Sequence, residues 1–198
     1  MNYQNRLWEL IDKLENRPKL LLHSCCGPCS TAVIDILKDY FDITVYYYNP
    51  NIEPLDEYTK RKNEQKRFIK ELNNPYVHFM DCDYENEVFR KKVKGLESEP
   101  ENGARCSICY KIRLEKTAKE GKKLNYDYFG TTLTVSPYKN SQKINEIGAY
   151  LEKEYGINFL FSDFKKKDGY KKSIELSNKY NLYRQNYCGC EFGRVKDV

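Results

Sequence analysis

The chain has 198 residues, of which 40% are hydrophobic and 32% charged, which indicates one water-soluble globular domain. Its net charge of +5 is too small for a dedicated nucleic-acid-binding protein. No apolar run approaches the roughly 20 residues of a membrane span, and the N-terminal segment lacks the apolar core of a signal peptide, so we expect a cytoplasmic protein.

The cysteines indicate the kind of chemistry. Eight cysteines in a reducing compartment favour metal or redox chemistry over structural disulfides. Because the chain has only two histidines, thiolates must supply the ligands of any metal, and thiolate-rich sites suit zinc or iron–sulfur clusters.

A tight turn with three cysteines follows the first predicted strand. The apolar run Leu20–Leu22 predicts this strand, Gly27 and Pro28 predict the turn, and TAVIDILKDY continues with helical spacing. The thiols of the turn belong to Cys25, Cys26 and Cys29. Free N–H groups at a helix start favour negative charge, so these thiols should lean towards thiolate, the form that binds metal or attacks sulfur.

The rest of the chain alternates between strands and helices. Further strands are predicted at 43–49, 76–81, 126–133 and 158–163. Further helices are predicted within 1–19 and at 55–73, 84–95, 106–124, 141–156 and 171–183, with Ser141 as an N-cap. The alternation predicts a single α/β domain, 1–198, whose open and mostly parallel sheet is Rossmann-like, of the HUP or PP-loop type, with helices on both faces and a C-terminal Cys-x-Cys tail.

Ligands of such sheets bind at the carboxyl ends of the strands. We therefore expect HSCCGPC to share one edge with the loops TVSPYKN (134–140) and DFKKKDGY (163–170).

Four cysteines are candidates for a shared metal site. Cys106 and Cys109 lie one turn apart at a predicted helix start, and the adjacent Cys25 and Cys26 can converge at their turn. Four thiolates suit a tetrahedral zinc or a 4Fe–4S cluster equally well. Structural zinc usually uses two CxxC-like knuckles, so the adjacent pair favours iron–sulfur.

The other cysteines allow further interpretations. Cys188 and Cys190 would form a small, strained disulfide ring, which suits a redox-cycling dithiol or two ligands to an additional metal. Cys26-Gly27-Pro28-Cys29 also spells the thioredoxin dithiol motif, in which the first thiol attacks and the second resolves. Cys82 stands alone and is predicted to be a buried, inert thiol.

Several other side chains have two interpretations. We predict His23 to be a satisfied core histidine, and the run Tyr46–Tyr48 to be strand packing and not a base-stacking platform. Asp163 either faces the site or caps a strand end. Lys139 and the run Lys165–Lys167 either grip phosphates or are solvated loop charges.

Five ordered motifs resemble the QueH-type epoxyqueuosine reductases. They are HSCCGPCS, GARCSICYKIRLEKTA, GTTLTVSPYKN with INEIG, DFKKKDGYKKSIELS and YRQNYCGCEFG, and they run from residue 19 to residue 193. The resemblance implies an oxidoreductase that deoxygenates epoxyqueuosine at the tRNA wobble position to queuosine. It implies a 4Fe–4S cluster on Cys25, Cys26, Cys106 and Cys109, and a redox-active pair formed by Cys188 and Cys190.

The resemblance also implies an additional iron beside the cluster. Its candidate ligands are, in falling order, Cys188, Cys190, Cys29 and Asp163. The candidate substrate-binding residues are Tyr138, Lys139, Lys165, Lys166 and Tyr187, of which the two tyrosines are possible proton donors. The expected partners are a tRNA that carries epoxyqueuosine in its anticodon loop and an external electron donor, with no membrane.

Two other functions compete with this interpretation. A PP-loop tRNA sulfur-transferase would share the fold and often a cysteine-held cluster, but it needs an SGGxDS-like turn for ATP. The turn here is SCCGPCS, with one glycine, which disfavours ATP binding. A zinc-stabilised RNA-binding module without catalysis would be colourless, whereas an iron–sulfur protein purified without oxygen is brown.

Overall fold

A five-stranded parallel sheet forms the centre of the computed structural model, which describes residues 2–193. The strands are β1 (Lys19–His23), β2 (Asp42–Tyr46), β3 (Val77–Met80), β4 (Tyr128–Thr131) and β5 (Asn158–Phe159), in the spatial order β3-β2-β1-β4-β5. The helices are α1 (Tyr3–Ile11), α2 (Gly27–Leu37), α3 (Leu55–Leu72), α4 (Asn86–Val93), α5 (Ala104–Lys123), α6 (Ser141–Tyr155) and α7 (Gly169–Lys179). None of these helices is both long and apolar enough to cross a bilayer.

Helices cover both faces of the sheet, as the sequence predicts. Successive residues of β1 point to opposite faces, so Leu20 and Leu22 pack with α1, α2, α3 and α7. Leu21 packs on the other face, where α4, α5 and α6 lie. Because both faces are buried, the central strands are apolar without polar alternation.

The strand order reverses between β1 and β4. Leu20 lies opposite Ile43 of β2 on one side and Tyr128 of β4 on the other. The loops after these two central strands therefore meet at one edge, where the Cys25 Sγ lies 3.9 Å from the Thr132 hydroxyl. The loop after β5 reaches the same edge, since the Lys165 N–H donates to the Thr134 carbonyl. This is the crevice in which open α/β sheets bind ligands.

The fifth strand is shorter than predicted. It ends at Phe159, whereas the sequence pattern predicts a strand over 158–163. The Asn145 side chain of α6 donates to the Ser162 carbonyl (2.8 Å) and accepts from the Ser162 N–H (3.0 Å). The Asn145 amide therefore hydrogen-bonds the backbone N–H and C=O of Ser162, which in a longer strand would pair with a neighbouring strand. For this reason the chain leaves the sheet before Ser162.

Other boundaries also differ from the prediction, among them the end of β2 and the start of α6. β2 ends at Tyr46 and not at residue 49, because the next backbone groups pair with side chains, such as the Tyr48 carbonyl with His23 Nε2. The N-cap of α6 is Asn140 and not Ser141, since the Asn140 Oδ1 accepts from the Lys143 N–H at 3.0 Å.

Gly148 allows α6 to approach the sheet closely. A Cβ atom at this position would overlap the Phe159 ring. We expect Gly148→Ala to destabilise the protein by about 1–3 kcal/mol, although alanine is the better helix former, because overpacking outweighs helix propensity. Chemical denaturation measures this effect, with the exposed Glu154→Ala in the same helix as the control. An unchanged or raised stability of Gly148→Ala would contradict the close approach.

Candidate metal and redox centre

Three thiols converge in the turn between β1 and α2. Cys26 is the N-cap of α2, and its Sγ accepts from the Cys29 N–H at 3.4 Å. The Sγ atoms of Cys25 and Cys26 lie 3.8 Å apart, and those of Cys25, Cys26 and Cys29 all lie within 4.8 Å of one another. Three soft donors at this spacing can hold a metal ion.

The turn is braced from α3 and from the loop after β2. Gln65 Oε1 accepts from the hydroxyls of Ser24 (2.7 Å) and Ser30 (3.0 Å), one on each side of the cysteines. The Asn49 amide donates to the Ser24 carbonyl at 2.8 Å. These buried hydrogen bonds fix the backbone that presents the thiols.

His23 is a satisfied core histidine, as predicted. Its Nδ1 lies 2.9 Å from the Thr131 hydroxyl and its Nε2 lies 3.1 Å from the Tyr48 carbonyl, and the ring is fully buried. Burial lowers the pKa of His23 to about 3, so the imidazole is neutral at physiological pH. The residues of the run Tyr46–Tyr48 are also buried, which confirms that they pack in the core.

One thiol of the turn is favoured as the thiolate. Hydrogen bonds from Cys26 and Cys29 hold the pKa of Cys25 well below its ordinary value. Burial raises the pKa of Cys26 to about 12, and hydrogen bonding to Cys25 raises that of Cys29. The turn therefore favours one thiolate, at Cys25, because a thiolate opposes the ionisation of the thiols beside it.

The remaining cysteine pairs line two neighbouring cavities. The walls of the smaller cavity include Cys106, Cys109, Cys188, Cys190, Arg113 and Lys139. The walls of the larger cavity, of about 250 Å³, include Cys25, Cys29, Cys188, Arg113, Lys139, Tyr138 and Tyr187. Since Cys188, Arg113 and Lys139 line both cavities, the two chambers adjoin each other. The structure thus brings the CxxC of α5 and the turn thiols to one region.

The C-terminal segment folds back over this region. Gly189 has a φ of 104°, which residues with a side chain rarely adopt. A Cβ atom at this position would lie 2.7 Å from Ile52 Cγ1 and 3.0 Å from an Arg61 guanidinium nitrogen. The Gly189 carbonyl accepts from the Glu53 N–H at 2.9 Å. A glycine between the two cysteines is therefore what lets this segment lie flat on the loop after β2.

Two side chains fasten the same segment to the core. Gln185 Nε2 donates to the Cys26 Sγ at 2.9 Å, and the Tyr187 hydroxyl donates to the Glu53 carbonyl at 3.0 Å. The Cys190 thiol donates to Cys188 and lowers the pKa of Cys188 to about 6, while the pKa of Cys190 rises. The pair thus combines one nucleophilic thiolate with one protonated thiol.

The predicted substrate residues divide into two groups. Tyr138, Lys139 and Tyr187 line the larger cavity, and Tyr138 is 66% exposed. Lys165 Nζ instead donates to the Lys139 carbonyl at 3.2 Å, so it braces that loop. Lys166 is exposed and does not line either of the two thiol cavities.

Two predicted residues lie outside the thiol region. Asp163 is buried, and its carboxylate lies 3.5 Å from Lys165 Nζ; neither cavity includes it. Cys82 donates to the Tyr47 carbonyl at 3.1 Å, and burial raises its pKa to about 12. The structure thus does not bring Asp163 to the thiols. Cys82 is partly buried, less than predicted, and its raised pKa agrees with the predicted inert thiol.

Sequence reasoning missed two residues of the site. Arg113 follows Cys109 by one helical turn, so the helical period of α5 places both on one face and is a signal for this residue. Gln185 contacts Cys26 across 159 positions of the chain, and no local pattern indicates such a contact.

Comparison with known proteins shows clear relatives. Residues 20–196 match a family model described as "Epoxyqueuosine reductase QueH". A protein of that name from Staphylococcus epidermidis is 46% identical over 99% of this chain and 86% of its own length. The proteins of the same name from Streptococcus pyogenes serotype M1 and Thermotoga maritima are 44% and 38% identical, over 97% and 89% of this chain and 75% and 91% of their own lengths.

Proposed function

The chain belongs to the QueH family of epoxyqueuosine reductases, and we propose that it deoxygenates epoxyqueuosine at the wobble position of tRNA to queuosine. The observation that carries this proposal beyond the family name is the gathering of thiols at the carboxyl edge of the sheet. The turn thiols, the CxxC of α5 and the C-terminal pair all lie at or beside the two adjoining cavities. The sulfur-transferase and zinc-module alternatives are not favoured, since the full-length relatives carry the reductase name.

We propose that Cys25, Cys26, Cys106 and Cys109 hold a 4Fe–4S cluster. The donor set fits this group, because thiolates are the ligands that iron–sulfur clusters take. The charge of the region fits as well, since the buried Arg113 guanidinium beside these thiols favours an anionic group. The cluster would supply single electrons to the site.

Cys29 and Cys188 are the thiols that we propose for the additional iron. Both line the larger cavity together with Cys25, so they face the space that the substrate would enter. Cys190 lines the smaller cavity and remains a candidate. Asp163 loses support as a ligand because its carboxylate lies beside Lys165 and outside both cavities.

The C-terminal pair can supply the two electrons that the reaction consumes. Converting an epoxide to an alkene takes two electrons and two protons and releases the oxygen as water. Oxidation of the Cys188 thiolate and the Cys190 thiol to a disulfide releases two electrons and one proton, and solvent supplies the second proton, so the reaction balances. An external electron donor then reduces the disulfide, which closes the cycle.

The larger cavity is the proposed entrance for the modified base. Anticodon loops release their bases from the stack readily, so a wobble base can enter a closed site. Tyr138, largely exposed at this cavity, can stack against the base or hold a proton, and Lys139 can face a phosphate. The exposed Lys166 would contact the backbone further out, while Lys165 orders the Lys139 loop. Since tRNA is the substrate, we propose a cytoplasmic location.

An anaerobic turnover assay tests the function. Iron-reconstituted protein is incubated with a tRNA that carries epoxyqueuosine and with a chemical reductant, and the nucleosides are then analysed by mass spectrometry. We expect the loss of one oxygen atom and the appearance of queuosine, with none in the absence of reductant or after iron chelation. Metal analysis that finds zinc alone, together with unchanged epoxyqueuosine, would refute the proposal.

A further inference from the structure

Within residues 2–193, no carboxylate forms an ion pair with the buried Arg113 guanidinium. Its side chain is 3% exposed, and its one hydrogen bond within residues 2–193 runs from Nε to the Cys109 carbonyl at 3.3 Å. The other deeply buried arginines have oxygen partners: Arg61 pairs with Glu57 at 2.6 Å, and one terminal nitrogen of Arg105 donates to three backbone carbonyls, while its Nε has no partner in the part of the chain that the structure describes. Arg113 differs from both, because the charged groups that act most strongly on it are cysteines and Tyr110, although the exposed Glu101 also lines both cavities.

The thiols of all three cysteine groups surround this guanidinium. Arg113 lines both cavities, as does the half-buried Lys139. Burial opposes the charge, but negative charge on Cys109, Cys25, Tyr110 and Cys188, when these groups ionise, raises the pKa of Arg113 above its ordinary value. The Tyr110 ring centroid lies 5.8 Å from the guanidinium carbon. Because the burial of a charge is costly without a compensating charge, negative charge in the adjoining cavities stabilises the Arg113 guanidinium.

We propose that Arg113 is a positioning residue that compensates the negative charge of the iron–thiolate group and thereby raises its reduction potential. This inference rests on the proposed function, since it takes the cluster as the anion. Reduction by one electron adds one negative charge to the cluster. A fixed cation in a low-dielectric site stabilises the reduced form more than the oxidised form.

Redox titration of the reconstituted protein tests this role. At a fixed solution potential, we expect Arg113→Gln to lower the ratio of reduced to oxidised cluster about tenfold, which is a shift of about 59 mV for a one-electron couple. Arg113→Lys keeps the positive charge, so its ratio of reduced to oxidised cluster should remain close to that of the wild type. Arg113→Met is a second neutral variant of similar length, in case the glutamine does not fold.

The control is an arginine at the opposite edge of the sheet. Arg17 precedes β1, is half-buried and donates to the Phe41 carbonyl at 3.2 Å, so Arg17→Gln should leave the potential unchanged. Iron content and melting temperature, measured on every variant, separate a loss of packing from a change in potential.

The outcomes distinguish this inference from the proposed function. A wild-type protein that takes up no iron overturns both. A wild-type protein that forms queuosine, with neutral Arg113 variants at the wild-type potential, overturns only the role of Arg113. If the reduction potential of the Arg113→Lys variant shifts as far as that of Arg113→Gln, the effect comes from side-chain shape and not from charge. That result would also overturn this role.

Discussion

Replacing Cys25 with serine is expected to abolish iron binding and turnover together. The Cys25 Sγ lies within 4.8 Å of the Cys26 and Cys29 sulfurs, lines the larger cavity and is the turn thiol most inclined to ionise. A serine hydroxyl is a hard donor that stays protonated at neutral pH, so it does not replace a thiolate on iron. Loss of a residue that only hydrogen-bonds to a metal ligand typically lowers metal affinity or activity 10–100-fold. Loss of the ligand itself should therefore lower both by more than about 100-fold.

Visible absorbance, iron content and queuosine formation under anaerobic conditions measure this effect. Cys82→Ser is the matched control, because that thiol lies outside both cavities and a serine hydroxyl can also donate to the Tyr47 carbonyl. The control should keep the colour and the turnover of the wild type. A brown, fully active Cys25→Ser protein would exclude Cys25 as a ligand and would remove the turn from the proposed centre.

The sequence predicted the position of the site because local patterns determine it. An apolar run, a Gly-Pro turn and a helical repeat determine β1, the thiol turn and α2, and the strand–helix alternation implies parallel pairing. Parallel pairing brings the ends of β1 and β4 to one edge, so Cys25 meets Thr132 across 107 positions of the chain. The position of the site at this edge of the sheet was therefore predictable from the sequence. The contacts that each side chain makes there were not.

Side-chain partners depend on long-range packing that no local pattern encodes. Lys165 was a candidate for phosphate contact or for a solvated loop charge, but its Nζ turns inward to the Lys139 carbonyl and lies 3.5 Å from the Asp163 carboxylate. The early end of β5 has the same kind of origin, since Asn145 of α6 takes the place of a strand neighbour. Cys29 ranked third among the candidate ligands of the additional iron, but its sulfur lies within 4.8 Å of those of Cys25 and Cys26.

The Cys188→Ser variant is expected to keep the four-iron cluster and to lose turnover. Cys188 belongs to the C-terminal segment and not to the four thiolates proposed as cluster ligands, so the visible absorbance should remain. The serine cannot form a disulfide with Cys190, so the pair no longer supplies two electrons. Removal of a residue that acts on the reacting atoms commonly lowers the rate by several orders of magnitude, and we expect roughly 1,000-fold or more.

The control for this variant lies in the same segment. Glu191→Gln changes an exposed side chain that pairs with Arg90, so it should leave both absorbance and turnover near the wild-type level. Iron analysis adds a second readout, because loss of a single iron with the cluster retained would mark Cys188 as a ligand of the additional iron. Complete loss of iron from Cys188→Ser, equal to that from Cys25→Ser, would instead place Cys188 in the cluster and refute the separation of cluster and dithiol on which the balanced reaction depends.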